Sequence, residues 1–151
     1  MRRRLGEISS PTRLDRRTDK VFSINSFAQF KAPVTRPDGS TITLHFVHER
    51  APQPHLARTI LLLHGWPGSY LEFLDVVDIL KKTGEYNIVV PSHPGYAFSD
   101  PPPEGEDFKR EDVADLMESL MQGLGYKTYA TQVRSQIYSA TFDGMAADLL
   151  L

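Results

Sequence analysis

The part of this chain best suited to chemistry is the turn His64-Gly65-Trp66-Pro67-Gly68-Ser69. It follows a continuous apolar run at residues 59–63, which is typical of a strand buried on both faces. A helical pattern follows the turn, so the order is strand, tight Gly/Pro turn, helix. A backbone N–H at such a position can stabilise the oxyanion that forms during hydrolysis. The turn therefore indicates hydrolytic chemistry.

Other residue types that could do chemistry are weaker candidates. The chain has no cysteine, which excludes disulfides and a thiol nucleophile. Asp143 has Phe142 on one side, whereas a nucleophile on a sharp turn needs small neighbours, so we interpret it as a polar residue of the tail. Four histidines lack metal-ligand spacing to a carboxylate cluster and are interpreted as ordinary surface or turn residues: His45, His48, His55 and His93. We predict no metal site and no cofactor.

An antiparallel hairpin is predicted ahead of the turn. Residues 27–33 and 41–49 are strand-like, and Arg36-Pro37-Asp38-Gly39-Ser40 between them is typical of a tight turn. Alternation in the second strand places its residues on two faces. One face carries Ile42, Leu44, Phe46 and His48, and the other carries Thr41, Thr43, His45 and Val47.

Two helices and two further strands are predicted after the turn. Ser69 and Glu72 have the spacing of a capping box for the first helix, whose apolar stripe is Tyr70, Phe73, Leu74, Val77 and Leu80. A buried strand at 86–90 ends in Pro91-Ser92-His93-Pro94-Gly95, and a helix at 109–124 places Met117 and Met121 in the core. A strand begins at 127–132. The resulting order of hairpin, β, α, β, α, β predicts an α/β fold with a mostly parallel sheet.

Composition and charge limit the class of protein. The 151 residues suffice for one domain, with 40% hydrophobic and 24% charged residues. A net charge of −2 gives no electrostatic footprint for nucleic acid, so no nucleic-acid partner is expected. No apolar run reaches the ~20 residues needed to span a bilayer. The basic start lacks an apolar signal region, and a cytoplasmic location is expected.

Two motifs together resemble one enzyme family. The six-residue turn and Pro91-Ser92-His93-Pro94-Gly95-Tyr96-Ala97-Phe98-Ser99 lie ~30 residues apart, one strand-helix-strand unit. They are similar to the N-terminal half of microsomal-type epoxide hydrolases, which are α/β-hydrolases. The similarity covers residues 24–132, between an N-terminal arm at 1–23 and an unrelated tail at 133–151. It departs from the family at Ala97, where the family often has glycine.

The resemblance implies a covalent mechanism without a cofactor. In this family an Asp on the nucleophile elbow attacks an epoxide carbon and forms an ester, and a His activates the water that hydrolyses it to a vicinal diol. Two tyrosines of a cap domain assist the epoxide oxygen. The resemblance assigns one oxyanion-hole N–H to Trp66, while His64, Gly65 and Pro67 shape the turn, with a cis bond between Trp66 and Pro67.

The family pattern stops at Gln132, where a sequence such as Gly-Gly-Asp-Trp-Gly is expected. The nucleophile, base and cap tyrosines of the family are absent, so we expect this truncated chain by itself to be inactive on epoxides. We hypothesise that residues 133–151 are translated intron, because every Val codon begins with the GT of a splice donor. A genuine truncated paralogue is the competing explanation.

Two other functions stay open at this point. One is another α/β-hydrolase reaction, on a haloalkane or an ester. The other is a non-catalytic fragment that pairs with a full-length relative or self-associates, because loss of the later strands would leave a buried-type strand at an exposed sheet edge.

Overall fold

Five strands form one mixed sheet in the computed structural model, which describes residues 24–134. The strands are β1 (Gln29–Thr35), β2 (Thr41–Glu49), β3 (Arg58–Leu63), β4 (Tyr86–Pro91) and β5 (Ala130–Val133). Their spatial order is β1-β2-β4-β3-β5. The β1–β2 and β2–β4 pairs are antiparallel, and the β4–β3 and β3–β5 pairs are parallel. The predicted hairpin followed by parallel strands is confirmed.

The hairpin turn closes as its sequence predicts. Gly39 has a φ of 86°, which glycine adopts without a Cβ penalty, and the Arg36 N–H donates to the Ser40 carbonyl at 2.8 Å. The Arg36 side chain is only 8% exposed and contacts Glu106 at 2.9 Å and Asp112 at 2.8 Å. These ion pairs join the hairpin turn to the segment that begins the second helix.

The helices α1 (Leu74–Thr83) and α2 (Arg110–Gly123) cover opposite faces of the sheet. Leu61 and Leu63 of β3 pack in the cluster under α2, whereas Leu62 packs in the cluster with α1. Successive residues of a strand point to opposite faces, so a strand covered on both sides must be apolar throughout. Met117 and Met121 of α2 are fully buried, which confirms the predicted core.

The predicted capping box is wrong. Ser69 makes no side-chain cap bond, and the residues after it form a 3₁₀ turn (Tyr70–Phe73) before α1 begins at Leu74. The Glu72 N–H bonds the Ser69 backbone carbonyl at 3.1 Å. The Glu72 carboxylate lies beside Gly68 and 3.6 Å from the Arg134 guanidinium, so it does not reach back to the Ser69 N–H. The predicted apolar stripe still faces the sheet.

Strand β5 is shorter than predicted at its start and extends one residue further, to Val133. The arm at 1–23, Asp143 and most of the tail lie outside the described residues, so the predictions about them are untested. Within residues 24–134, none of the helices combines the length and apolar character required to cross a membrane.

Candidate functional site

The turn at residues 64–69 lies at the carboxyl end of β3, which is flanked by β4 and β5. Carboxyl ends of parallel strands are where α/β sheets place their sites. The Gly68 N–H donates to the Gly65 carbonyl at 2.8 Å, and the Trp66–Pro67 peptide is cis, as expected. The Trp66 side chain is 73% exposed. The turn therefore exposes Trp66 at this edge of the sheet, whereas His64 and Gly65 before it are buried.

The Gly65–Trp66 peptide is held by its carbonyl. The Gly65 oxygen accepts the Gly68 N–H and lies 3.2 Å from Nδ1 of His64. In a trans peptide the N–H points opposite to the carbonyl, so the Trp66 N–H points away from these two partners. Among residues 24–134 the Trp66 N–H has no hydrogen-bond acceptor. This is the arrangement that a preorganised oxyanion donor needs.

His64 is fully buried and its hydrogen bonds define its proton position. The backbone N–H of His93 donates to Nε2 of His64 at 3.2 Å. Nε2 is therefore the unprotonated nitrogen, and Nδ1 carries the proton that the Gly65 carbonyl accepts. Burial lowers the pKa of His64, which keeps the ring neutral. A neutral ring of this one tautomer satisfies both contacts.

His93 faces His64 from the end of β4. Its Nε2 lies 2.8 Å from the His64 carbonyl oxygen, and the two ring centroids are 4.2 Å apart. Burial, with a smaller contribution from the nearby His64, lowers the pKa of His93 to about 4. His93 is only 3% exposed, so the surface alternative of its interpretation is wrong: it begins the turn after β4 and is buried because it joins two strand ends.

His45 is also buried, at 3% exposure, which corrects its assignment as a surface or turn residue. It lies in the middle of β2, with Nδ1 2.9 Å from Ser92 Oγ and Nε2 3.0 Å from Gln29 Oε1. Ser99 Oγ donates to the Ser92 carbonyl at 2.8 Å and accepts the His45 N–H at 2.9 Å. This network fixes the segment after β4 against β2.

His48 and His55 lie away from the turn. His48 is half-buried, 2.9 Å from the Tyr126 hydroxyl, and His55 is exposed in the loop before β3. In the part of the chain that the structure describes, no three His, Asp or Glu side chains converge as metal ligands. The described histidines thus bring no general base to the turn.

Two backbone positions near the turn, 68 and 97, favour glycine. A Cβ at Gly68 would clash with the Glu72 carboxylate and lie 3.1 Å from the Gly65 oxygen. Ala97 has a φ of 47°, a left-handed conformation that glycine adopts more easily. This conformation gives a physical reason for glycine at the position of Ala97.

Sequence reasoning missed Ser92, His93 and Gln29 as partners of this site. One feature could have indicated them: Pro91 has no N–H, so the end of β4 cannot continue the backbone ladder by itself. Side chains of neighbouring residues then have to satisfy the backbone groups at the strand ends.

Two family models together match all of the described residues 24–134. The family model described as the N terminus of epoxide hydrolases matches residues 17–73, and the model described as the alpha/beta hydrolase fold matches residues 58–135. The second match covers just over half of the chain.

Individual relatives agree with these matches. Epoxide hydrolase 1 of Oryctolagus cuniculus is 32% identical over 124 residues, which are 75% of this chain and 26% of the relative. The structure of Aspergillus niger epoxide hydrolase is 35% identical with a TM-score of 0.70, over 82% of this chain and 32% of that one. Juvenile hormone epoxide hydrolase from Bombyx mori is 32% identical with a TM-score of 0.63, over 77% and 28%. The chain thus spans about a quarter of the length of the curated relatives it matches. It belongs to the alpha/beta hydrolase fold family, and within that family it resembles the N-terminal part of epoxide hydrolases.

Proposed function

We propose that residues 24–134 provide the oxyanion turn of an epoxide hydrolase, which converts an epoxide and water to a vicinal diol. The observation that carries this proposal is the orientation of the Trp66 N–H, whose peptide carbonyl is bound by Gly68 and His64. The similarity to epoxide hydrolases supports the proposed reaction class. Trp66 acts through its backbone, and His64, Gly65 and Pro67 set the shape of the turn.

The proposed role of the Trp66 N–H belongs to the second half of the reaction. In the first half, an aspartate oxygen bonds to an epoxide carbon, the carbon–oxygen bond of the ring breaks, and the ring oxygen takes a proton from a tyrosine of the cap domain that the resemblance implies. In the second half, a water deprotonated by a histidine attacks the carbonyl carbon of the resulting ester. The carbonyl oxygen of the ester then carries negative charge, and an N–H fixed in advance stabilises it without reorganisation. The acyl carbon–alkoxy oxygen bond then breaks, the alkoxy oxygen takes the proton back from the histidine, and the diol leaves with the aspartate regenerated.

The 151-residue chain by itself is proposed not to complete this reaction. Its sequence contains no match to the family's nucleophile elbow. The histidines at 45 and 48 are bonded away from the turn, and His93, which contacts the turn, donates its Nε2 proton to the His64 carbonyl. We therefore expect no diol from an aryl epoxide incubated with the purified chain. Diol formation above the uncatalysed rate, lost on mutation of a residue of this chain, would contradict this part of the proposal.

A chimaera tests the role of the turn directly. Residues 1–132 would be joined to Aspergillus niger epoxide hydrolase from its nucleophile elbow onward, and diol formation would be followed by chromatography. We expect the chimaera to turn over. Trp66→Ala retains the N–H and should change kcat little. Trp66→Pro removes the N–H and should lower kcat by about 100-fold or more.

The folding of each chimaera is the control for this comparison. If Trp66→Pro unfolds at the same temperature as the parent and keeps its kcat, the N–H does not serve as an oxyanion donor. If the parent chimaera folds but never forms diol, while the intact Aspergillus enzyme does under the same conditions, residues 1–132 do not provide the oxyanion turn of an epoxide hydrolase and the proposal is contradicted.

The boundary at Gln132 is proposed to be an exon boundary, with residues 133–151 read from intron. The test is to sequence the mature transcript across the Gln132–Val133 junction. Transcripts that continue into an elbow sequence would support the proposal and assign the activity to the longer product. Mature transcripts that retain the codons of the tail and a stop would favour a genuine truncated paralogue instead.

A further inference from the structure

The ends of β3 and β4 are joined by side chains rather than by the backbone ladder. The last paired residues in the parallel ladder are Leu61 and Val89, and Pro91 then offers no N–H. The backbone N–H of His93 is accepted by the imidazole of His64, and the backbone carbonyl of His64 lies 2.8 Å from the imidazole of His93. Each histidine therefore satisfies a main-chain group of the other.

This exchange fixes both proton positions. Because Nε2 of His64 accepts an N–H, the proton of that neutral ring is on Nδ1, where the Gly65 carbonyl accepts it. Because a carbonyl is only an acceptor, Nε2 of His93 must carry the proton that it donates. The tautomers of the two rings are opposite, and each follows from a backbone partner.

The turn depends on this exchange because Gly65 has no Cβ to restrict its backbone. The carbonyls on either side of the Gly65 backbone are both bound, that of His64 by His93 and that of Gly65 by His64 and Gly68. Rotation of the Gly65–Trp66 peptide would break the bonds to Gly65. A His64 ring protonated on Nε2 would instead point a lone pair at the Gly65 carbonyl and an N–H at the His93 N–H.

We propose that His93 is a positioning residue for the oxyanion turn: its N–H selects the Nδ1-protonated tautomer of His64, and its imidazole holds the His64 carbonyl. The Gly65–Trp66 peptide is thereby kept with its N–H directed outward. The role of this orientation in catalysis rests on the proposed function, whereas the tautomer of His64 does not. An experiment can therefore contradict the tautomer and leave the proposed function intact, or the reverse. The titratable groups that face the pair are Tyr96, 5.2 Å from the His64 ring, and Glu72, which acts on His64 through its charge.

The test is imidazole ¹⁵N spectroscopy of the full 151-residue chain, in solution or by magic-angle spinning of sedimented protein. His64 is assigned by the resonances lost in His64→Gln. At neutral pH we expect His64 to show a protonated Nδ1 and an unprotonated Nε2, and His93 to show the reverse. Protonated Nε2 on His64 in the unmodified chain would overturn the proposal outright.

Three variants separate positioning from general packing. His93→Gln places an amide donor near the position of Nε2 and should keep the His64 tautomer. His93→Leu retains similar bulk and the backbone N–H, so the His64 tautomer should persist, but it removes the donor to the His64 carbonyl and should shift the backbone amide resonance of Trp66. Tyr96→Phe is the matched control beside both rings and should leave them unchanged. If His93→Leu folds and leaves the Trp66 amide resonance where it is in the unmodified chain, the imidazole of His93 does not position the turn. If His93→Leu does not fold, the unmodified chain and His93→Gln still decide, because an altered tautomer in the Gln variant also contradicts the proposal.

Discussion

Ala97 offers a direct test of how backbone strain at the rim of the site affects stability. It lies in the consecutive turns after β4, where the Tyr96 N–H donates to the His93 carbonyl and the Ser99 N–H to the Tyr96 carbonyl. Its φ of 47° places it in the left-handed region, and its side chain is exposed. Ala97→Gly therefore removes strain without removing buried contacts.

The expected gain follows from two opposing contributions. A left-handed conformation costs a residue with a Cβ about 1–2 kcal/mol. Glycine adds conformational entropy to the unfolded chain, which costs about 0.4–1 kcal/mol. The net effect of Ala97→Gly is an increase in the free energy of unfolding of about 0.5–1 kcal/mol. For a chain of this size that raises Tm by roughly 1–4 °C.

A reciprocal variant supplies the matched comparison. Gly95 lies two residues earlier with a φ of 79°, and a Cβ there would be 3.7 Å from Pro102 Cδ, an ordinary contact. Gly95→Ala should therefore lower stability by about the same 0.5–1 kcal/mol, through conformation alone. Gly123→Ala, at the end of α2 with no atom within 4 Å of the new Cβ, should not destabilise.

Urea unfolding of the four proteins, followed by far-ultraviolet circular dichroism, measures these differences. A decrease in the midpoint for Ala97→Gly with an unchanged m-value would refute the reasoning. An equal loss of stability for Gly95→Ala and Gly123→Ala would show that the left-handed conformation is not the cause.

Three other perturbations have expected outcomes. Burial depresses the pKa of His93 from 6.5 to about 4, so the unfolded chain binds a proton first and the free energy of unfolding should fall as pH drops from 6.5 toward 4. In urea titrations His93→Gln should flatten that decline, and an equally steep decline in the variant would contradict the assignment. Leu61→Ala should lower the free energy of unfolding by about 2–4 kcal/mol, because Leu61 is fully buried between the sheet and α2. Ile79 is 64% exposed, so Ile79→Ala should change that free energy by less than about 0.5 kcal/mol, and similar losses for the two variants would contradict the assigned core. The Lys109 N–H, and after it Arg36, lowers the pKa of Asp112 below its ordinary value of 3.8. Asp112→Asn should therefore be less stable than the parent above pH 3.8, and this difference should vanish as the pH falls further below 3.8. A difference in stability that persists in acid would show that the ionised carboxylate is not its cause.

Much of the fold could be predicted because its determinants are local. The turn at Arg36–Ser40 depends on Pro37 and Gly39, and the two faces of β2 follow from strict alternation. The apolar run in β3 is readable because both of its faces are covered. The capping box at Ser69 failed because its acidic partner, Glu72, lies beside Gly68 and Arg134, and the second of these contacts depends on β5. Spacing along the chain cannot report a contact made 62 residues away in sequence.

The histidines show the same limit at the site itself. His45 and His93 are polar residues in segments where sequence favours exposure, yet both are buried. Each becomes compatible with burial only when another segment supplies its partner: Ser92 and Gln29 for His45, and the His64 carbonyl for His93.

The residues of the turn can therefore be recognised from local sequence, whereas the contacts that orient its backbone come from another strand. Glycine at position 68 follows from the turn itself, because a Cβ there would lie 3.1 Å from the Gly65 oxygen, so the sequence alone indicates where the turn lies. The direction of the Trp66 N–H depends on the His64 tautomer, and that tautomer depends on the N–H of a residue at the end of another strand. A turn with the same six residues but without a donor at the end of β4 would still match the motif. Its Gly65–Trp66 peptide, however, would no longer be fixed by the His64 tautomer. For this reason the His64 tautomer, rather than the presence of the motif, is the property that should distinguish an ordered oxyanion turn from an unordered one.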